Sequence, residues 1–191
     1  MESLDLNPSG YAGSYKLIGG RRSLDLVNTI SWPHTDRCHD WLAIPANVTA
    51  WLEAIGLPTT SITEPELPVI HKIRSDVADL LYPLAHGETP SSSVTERFNR
   101  HLTRAQARLY IDPVDLSWAW QPPTAARDLL HPVVMDAADL ITEGDRSRLK
   151  HCPSCDWIFE DQTRNGRRRW CDMADCGSRA KARSYYHRTK S

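Results

Sequence analysis

Four of the chain's five cysteines fall in its last 40 residues, as Cys152-x2-Cys155 and, 15 residues later, Cys171-x4-Cys176. A Cys-x-x-Cys turn aims two thiolates at one ion, and a second pair completes the tetrahedral shell that Zn2+ takes at structural sites. Four protein sulfurs close that shell, so no position is left for the water that a catalytic zinc activates. The spacing therefore predicts one structural Zn2+ held by Cys152, Cys155, Cys171 and Cys176, whose role is to fold a small module. The N-terminus, MESLDLNPSGYAGS, has neither the basic start nor the apolar run of an export leader, and clustered cysteines in a reducing compartment favour metal over disulfides.

The charge of the whole chain, −1, hides an asymmetry around that site. Residues 1–145 carry 11 Lys and Arg against 19 Asp and Glu, a net of −8, whereas residues 146–191 carry 12 against 5, a net of +7. An acidic body with one basic end is the electrostatic outline of a protein that presents that end to a polyanion. Zn2+ with four thiolates keeps a formal charge of about −2, so Arg167, Arg168 and Arg169, just ahead of Cys171, have two readings. They balance the metal site, or they reach phosphate. Beyond the last cysteine, RAKARSYYHRTK reads as a basic helix capped by Ser178, suited to a nucleic-acid backbone or groove; the plainer reading is a solvated tail. Arg179, Lys181 and Arg183 complete the candidate nucleic-acid contacts. Trp157 and Phe159 read as the module's small core rather than as stacking platforms.

Outside the finger the chemistry is sparser. Asp25, Asn28 and Thr29 are polar groups on an otherwise apolar helix and could orient a small ligand; equally, such groups beside a glycine turn satisfy backbone donors. His34, Cys38 and His39 invite a second metal site or a Cys/His nucleophile, but no third ligand or orienting carboxylate is placed by any pattern. His151 and His187 flank the finger and could stand in for a cysteine that is not missing. No GxSxG, HExxH, phosphate-binding loop or dinucleotide fingerprint is present, so no enzymatic reading has a motif behind it.

The elements that must position these groups are mainly helical. A glycine pair at Gly19-Gly20 opens a helix from about Ser23, and Asn47 reads as the N-cap of VTAWLEAIG, stopped by Gly56. Ile70, Ile73, Val77, Leu80, Leu81 and Leu84 form an amphipathic stripe between Glu64 and Ala85, with Pro83 near its end. Residues 94–106 resume a helix, LYIDPVDLSWAW reads as a small hairpin around an Asp-Pro turn, and residues 124–143 read as one long helix ended by Gly144. The first 15 residues read as loose. Composition is that of a globular chain, 40% hydrophobic and 25% charged, with no run long enough to span a membrane.

The finger residues carry a resemblance. Cys152-Pro-Ser-Cys155, Trp157-Ile-Phe159, Asp161, Arg168-Arg-Trp170-Cys171 and Cys176-Gly177-Ser178-Arg179 followed by Lys181 resemble the CGNR zinc finger, with Ser178 where the name-giving asparagine stands. Ile18-Gly19-Gly20, Leu24-Asp25-Leu26-Val27-Asn28-Thr29 and Trp51-Leu52 with Gly56-Leu57 resemble the ABATE domain that precedes this finger. The resemblance implies a bacterial stress-induced transcription regulator, with a ligand-sensing body and a DNA-binding finger. The expected architecture is mainly α: a flexible segment over 1–15, an orthogonal helical domain with a small β-hairpin over 16–145, and a zinc-bound module over 146–191 ending in a basic helix. The expected partners are DNA, a small effector and no membrane, in the cytoplasm at the nucleoid. A single finger covers only about 600 to 1,000 Å², so a homodimer on paired half-sites is expected. RNA binding and a protein-docking adaptor are the rival readings.

Overall fold

The computed structural model describes residues 3–33 and 35–190, without the side chains at 187, 189 and 190. The expectations for His34, for the His187 side chain and for the Lys190 side chain therefore lie outside the described residues. Among those described, six α-helices and three two-stranded antiparallel hairpins follow one another along the chain.

The body is built on three helices. The longest, α3 (Leu67–Ala85), buries Ile70, Ile73, Val77, Leu80 and Leu81, the stripe its spacing predicts, and runs two residues past Pro83. Helix α4 (Ser92–Gln106) is capped by Ser91, which accepts from Val94 N, and buries only Phe98 and Ala105. Helix α5 (His131–Thr142) packs on α4 and on α1 (Arg22–Val27), and α3 packs on the same two. The residues expected to start α5 form instead a tighter 3-10 turn, Ala126–Leu130. Pro132 has no N–H for the carbonyl four residues back, so the α ladder begins only beyond it.

Glycine geometry opens α1. Gly20 takes φ +84°, and a Cβ on Gly19 would stand 2.7 Å from Leu24 Cβ. Helix α2 (Pro45–Ala54) starts three residues earlier than expected, at Pro45, whose missing N–H costs nothing in the first turn. Asn47 is thereby freed from capping and instead joins three segments: it accepts from Asn7 N and donates to Asn7 O and Trp41 O at 2.7–2.9 Å. That contact also corrects the expectation of a loose N-terminus. Leu6 is buried, Leu4 N donates to Tyr15 O, and Tyr15 is wholly buried with its hydroxyl on Asp25 O at 2.6 Å.

Of the hairpins, β1 (Ile30–Ser31) with β2 (His39–Asp40) lies beside α1, and β3 (Leu109–Ile111) with β4 (Trp118–Trp120) is the one expected around the Asp-Pro turn. The third, β5 (Leu149–His151) with β6 (Ile158–Glu160), carries the first cysteine pair. It packs on α3 and α1, and Leu149, Trp157, Ile158 and Phe159 join the apolar cluster of the body. The boundary at 145/146 thus divides charge, while one apolar core runs across it. No helix among the described residues is long and apolar enough to cross a membrane.

Candidate metal centre and nucleic-acid interface

The β5–β6 hairpin turns through a tight knuckle. Cys152 N donates to Trp157 O and Asp156 N to Cys152 O, both at 2.8 Å, and Asp156 takes φ 62°, a left-handed conformation that Asp tolerates. The turn brings Cys152 and Cys155 together. Cys171 arrives from the loop after β6, and Cys176 lies in the wide turn Met173–Gly177 that runs into α6 (Ser178–Lys190). This wide turn is capped by Asp172, which accepts from Ala174 N, rather than by Ser178, whose hydroxyl donates to Met173 O.

All four cysteines are buried, and their sulfurs lie within 4.8 Å of one another, with Cys155–Cys171 at 3.4 Å and Cys171–Cys176 at 3.6 Å. Four sulfurs about 2.3 Å from a tetrahedral Zn2+ stand about 3.8 Å apart, so the donor set fits that ion. Four thiolates cannot share this volume without a cation. The site holds one structural zinc.

A hydrogen-bonded frame surrounds it. Asp161 is wholly buried; burial would raise its pKa, but Lys150 Nζ at 2.7 Å, Thr163 and Arg168 N hold it well below the carboxylate range. Arg179 Nη2 donates to Cys176 Sγ at 3.2 Å, which places positive charge on the thiolate cluster. Arg168 is used differently, on backbone carbonyls. Its guanidinium lies 4.4 Å over Phe159 and donates to Trp170 O, Ile18 O and Cys171 O. The structure thereby corrects its place among the candidate phosphate contacts, because its donors tie the finger to the body.

The other candidate cations are turned outward. Arg167, Arg169, Lys181 and Arg183 are exposed; Arg167 and Lys181 make no ion pair or hydrogen bond among the described residues, and Arg183 reaches Ser154 Oγ. Two clefts collect the three arginines. One, of about 460 Å³, is lined by Lys150, His151 and Arg167–Arg169; the other, of about 310 Å³, by Trp32, Arg37, Arg179, Ala182 and Arg183. Arg37 was not legible as a site residue, and Trp32 only as one of the tryptophans of a core or an aromatic pocket, since both lie more than 100 positions before the finger in sequence. Trp32 takes φ 53°, with Arg37 4.0 Å and Arg179 5.6 Å from its ring.

Asp25, Asn28 and Thr29 come together at the join between body and finger rather than around a cavity. Asp25 accepts from Gly19 N at 2.8 Å, and Asn28 exchanges both its amide bonds with the backbone of Ile158 at 2.8 and 2.9 Å. Thr29 Oγ1 donates to Leu26 O and accepts from Arg74, itself paired with Asp40. One cavity of the body, about 210 Å³, is lined by Leu57, Trp120, Leu129 and Pro132 with Arg22 and Asp128 as its charged groups.

Two family models match the chain. Residues 20–144 match ABATE, described as "Putative stress-induced transcription regulator", and residues 148–189 match the CGNR zinc finger. No curated protein matches it.

Proposed function

From the premise that the chain belongs to the ABATE family and carries a CGNR zinc finger, we propose that it is a DNA-binding transcription regulator and not an enzyme. The observation that carries this reading is the outward set of cations, Arg167, Arg169, Lys181 and Arg183, on a scaffold in which Arg179 already places charge on the thiolates and Arg168 is taken up by backbone carbonyls. Cations not needed by the metal site are left for phosphate. Trp32 and Arg37 extend the same surface onto the body, so a nucleic-acid backbone lying along α6 meets both parts of the molecule. A small effector would enter the cavity beside Trp120 and Arg22 rather than Asp25, Asn28 or Thr29, whose polar atoms are taken. The regulator acts in the cytoplasm as a homodimer, because one finger covers less DNA than tight specific binding uses.

The test is fluorescence anisotropy of the zinc-loaded protein on a random duplex pool at several salt concentrations, beside an Arg167→Ala/Arg169→Ala double variant. Binding should weaken steeply with salt, and the log–log slope should be shallower by about 1 to 2 in the variant, which keeps its zinc. Arg168→Ala, in contrast, should loosen the finger itself. Absence of binding at low salt would overturn the DNA reading, and preference for single-stranded RNA would replace it.

A further inference from the structure

Besides the four sulfurs, one other convergence of metal-ligating atoms occurs among the described residues. His86 follows the last turn of α3, His151 ends β5 immediately before Cys152, and Asp156 follows Cys155 in the knuckle. Their donor atoms lie within 4.8 Å of one another. His86 Nε2 and His151 Nδ1 each stand 3.2 Å from Asp156 Oδ1, and the two imidazoles stack with centroids 4.0 Å apart.

Hydrogen-bond accounting shows that this arrangement is incomplete. His86 Nδ1 lies 2.8 Å from Tyr82 O and Nε2 lies 3.2 Å from the Asp156 carboxylate. Both neighbours only accept, yet a neutral imidazole carries one proton. With that proton on the carbonyl contact, the tautomer that a metal ligand needs, the Nε2 lone pair faces a carboxylate oxygen. His151 Nδ1 faces the same oxygen, is buried, and makes no hydrogen bond. Two ring nitrogens and a carboxylate oxygen thus meet in one place; the imidazole planes, stacked with a tilt of 25°, turn about their side-chain torsions for both lone pairs to point at one ion. The contact from His86 Nδ1 to a backbone carbonyl is also the one that orients metal-ligating histidines and sets their tautomer.

We propose that His86, His151 and Asp156 form a second metal site, separate from the cysteine site, that takes a divalent ion of the Zn2+ or Ni2+ class. Imidazole and carboxylate suit those ions, and ligands about 2.0 to 2.2 Å from a common ion stand about 3.0 to 3.5 Å apart, which the two 3.2 Å separations match. Only three protein ligands are present and the site is partly exposed, so the ion exchanges, unlike the enclosed zinc. The arginines of the adjoining cleft oppose a cation here; Asp156 and the anionic thiolate cluster beside it offset them. Because His86 belongs to the body and the other two ligands to the knuckle, the ion clamps α3 to the finger, next to the cleft lined by Arg167 and Arg169. The site itself stands whether or not that cleft takes DNA.

The test is equilibrium dialysis of untagged, zinc-saturated full-length chain against micromolar Ni2+, with both metals counted by mass spectrometry. The wild-type chain should keep its zinc and take up one nickel. His86→Ala, outside the finger, and Asp156→Asn, which retains a residue type tolerant of φ 62°, should keep zinc and lose nickel affinity by at least about tenfold. No nickel uptake by the wild-type chain would overturn the proposal and leave a proton-bridged His–Asp–His cluster. Nickel that replaces zinc one for one, or uptake unchanged in both variants, would overturn it as well.

Discussion

The two buried carboxylates flanking the join respond to pH in opposite directions, and their surroundings say why. Asp161 faces an ammonium, a hydroxyl and two backbone amides, so its ionised form is favoured, and its contribution to stability is lost as pH falls. Asp25 has backbone donors and no cation. Burial pushes it up to about 7, with the charge of Asp136 adding to the shift. A raised folded-state value means that the native chain holds this proton more tightly than the unfolded chain, so the contribution of Asp25 to stability is greatest at low pH and is lost as pH rises through about 7. The shift corresponds to a loss on the order of 2 to 4 kcal/mol. Asp25→Asn keeps an oxygen for Gly19 N and cannot ionise. In urea unfolding of zinc-saturated protein between pH 5.5 and 8, the wild-type chain should lose stability relative to this variant as pH rises. Parallel curves would mean that Asp25 is ionised throughout. The sequence marked Asp25 as unusual, a carboxylate in an apolar helix, but could not say whether a ligand or the backbone used it.

At the scale of elements, what was legible followed from local rules. The stripe of α3, the hairpin around Pro113 and the cysteine spacing each needed only neighbours in sequence. Starts of helices were read less well, because competing residues decide them: Pro45 displaced Asn47 from its cap, Pro132 delayed α5, and Asp172 took the place of Ser178. Contacts across the join were not legible at all. Asn28 and Ile158 are 130 positions apart, and nothing local pairs an amide side chain with a strand that far away. That pairing is a buried polar link between α1 and β6, beside the more exposed pair of Arg21 with Glu160. Asn28→Ala leaves a buried N–H and a buried C=O of Ile158 without partners, and should cost about 2 to 4 kcal/mol. Urea unfolding measures the loss, and zinc release to a chelator should quicken in the same variant. A cost near zero would mean that water or a shifted side chain replaces the amide.

The molecule as a whole is charged as two parts and packed as one. The basic end is recognisable by composition because surface charge needs no partner to be counted, whereas the shared core depends on Leu149, Trp157, Ile158 and Phe159 meeting residues of α1 and α3. Trp157 Nε1 donates to Ile30 O at 3.0 Å, Glu160 N to Gly19 O at 2.8 Å, and Lys16 pairs with Asp172 at 2.7 Å, so the zinc module is fastened to the body at three separate points. A metal that folds the module therefore also supports α1. Isolated zinc fingers owe their whole fold to the ion, and a loss of about 5 kcal/mol in a chain of this size lowers Tm by roughly 10 to 20 °C. Removal of zinc with a strong chelator under reducing conditions should then lower Tm by that amount and diminish the near-ultraviolet circular dichroism of Trp41 and Trp51, which lie in the body, together with that of Trp157. If those body signals persist and melt at an unchanged temperature, the apolar contacts across the join are too weak to couple the two parts. If they fall together in one transition, the finger is a structural wall of the body, and binding at the finger is transmitted to α1 and α3 through packing.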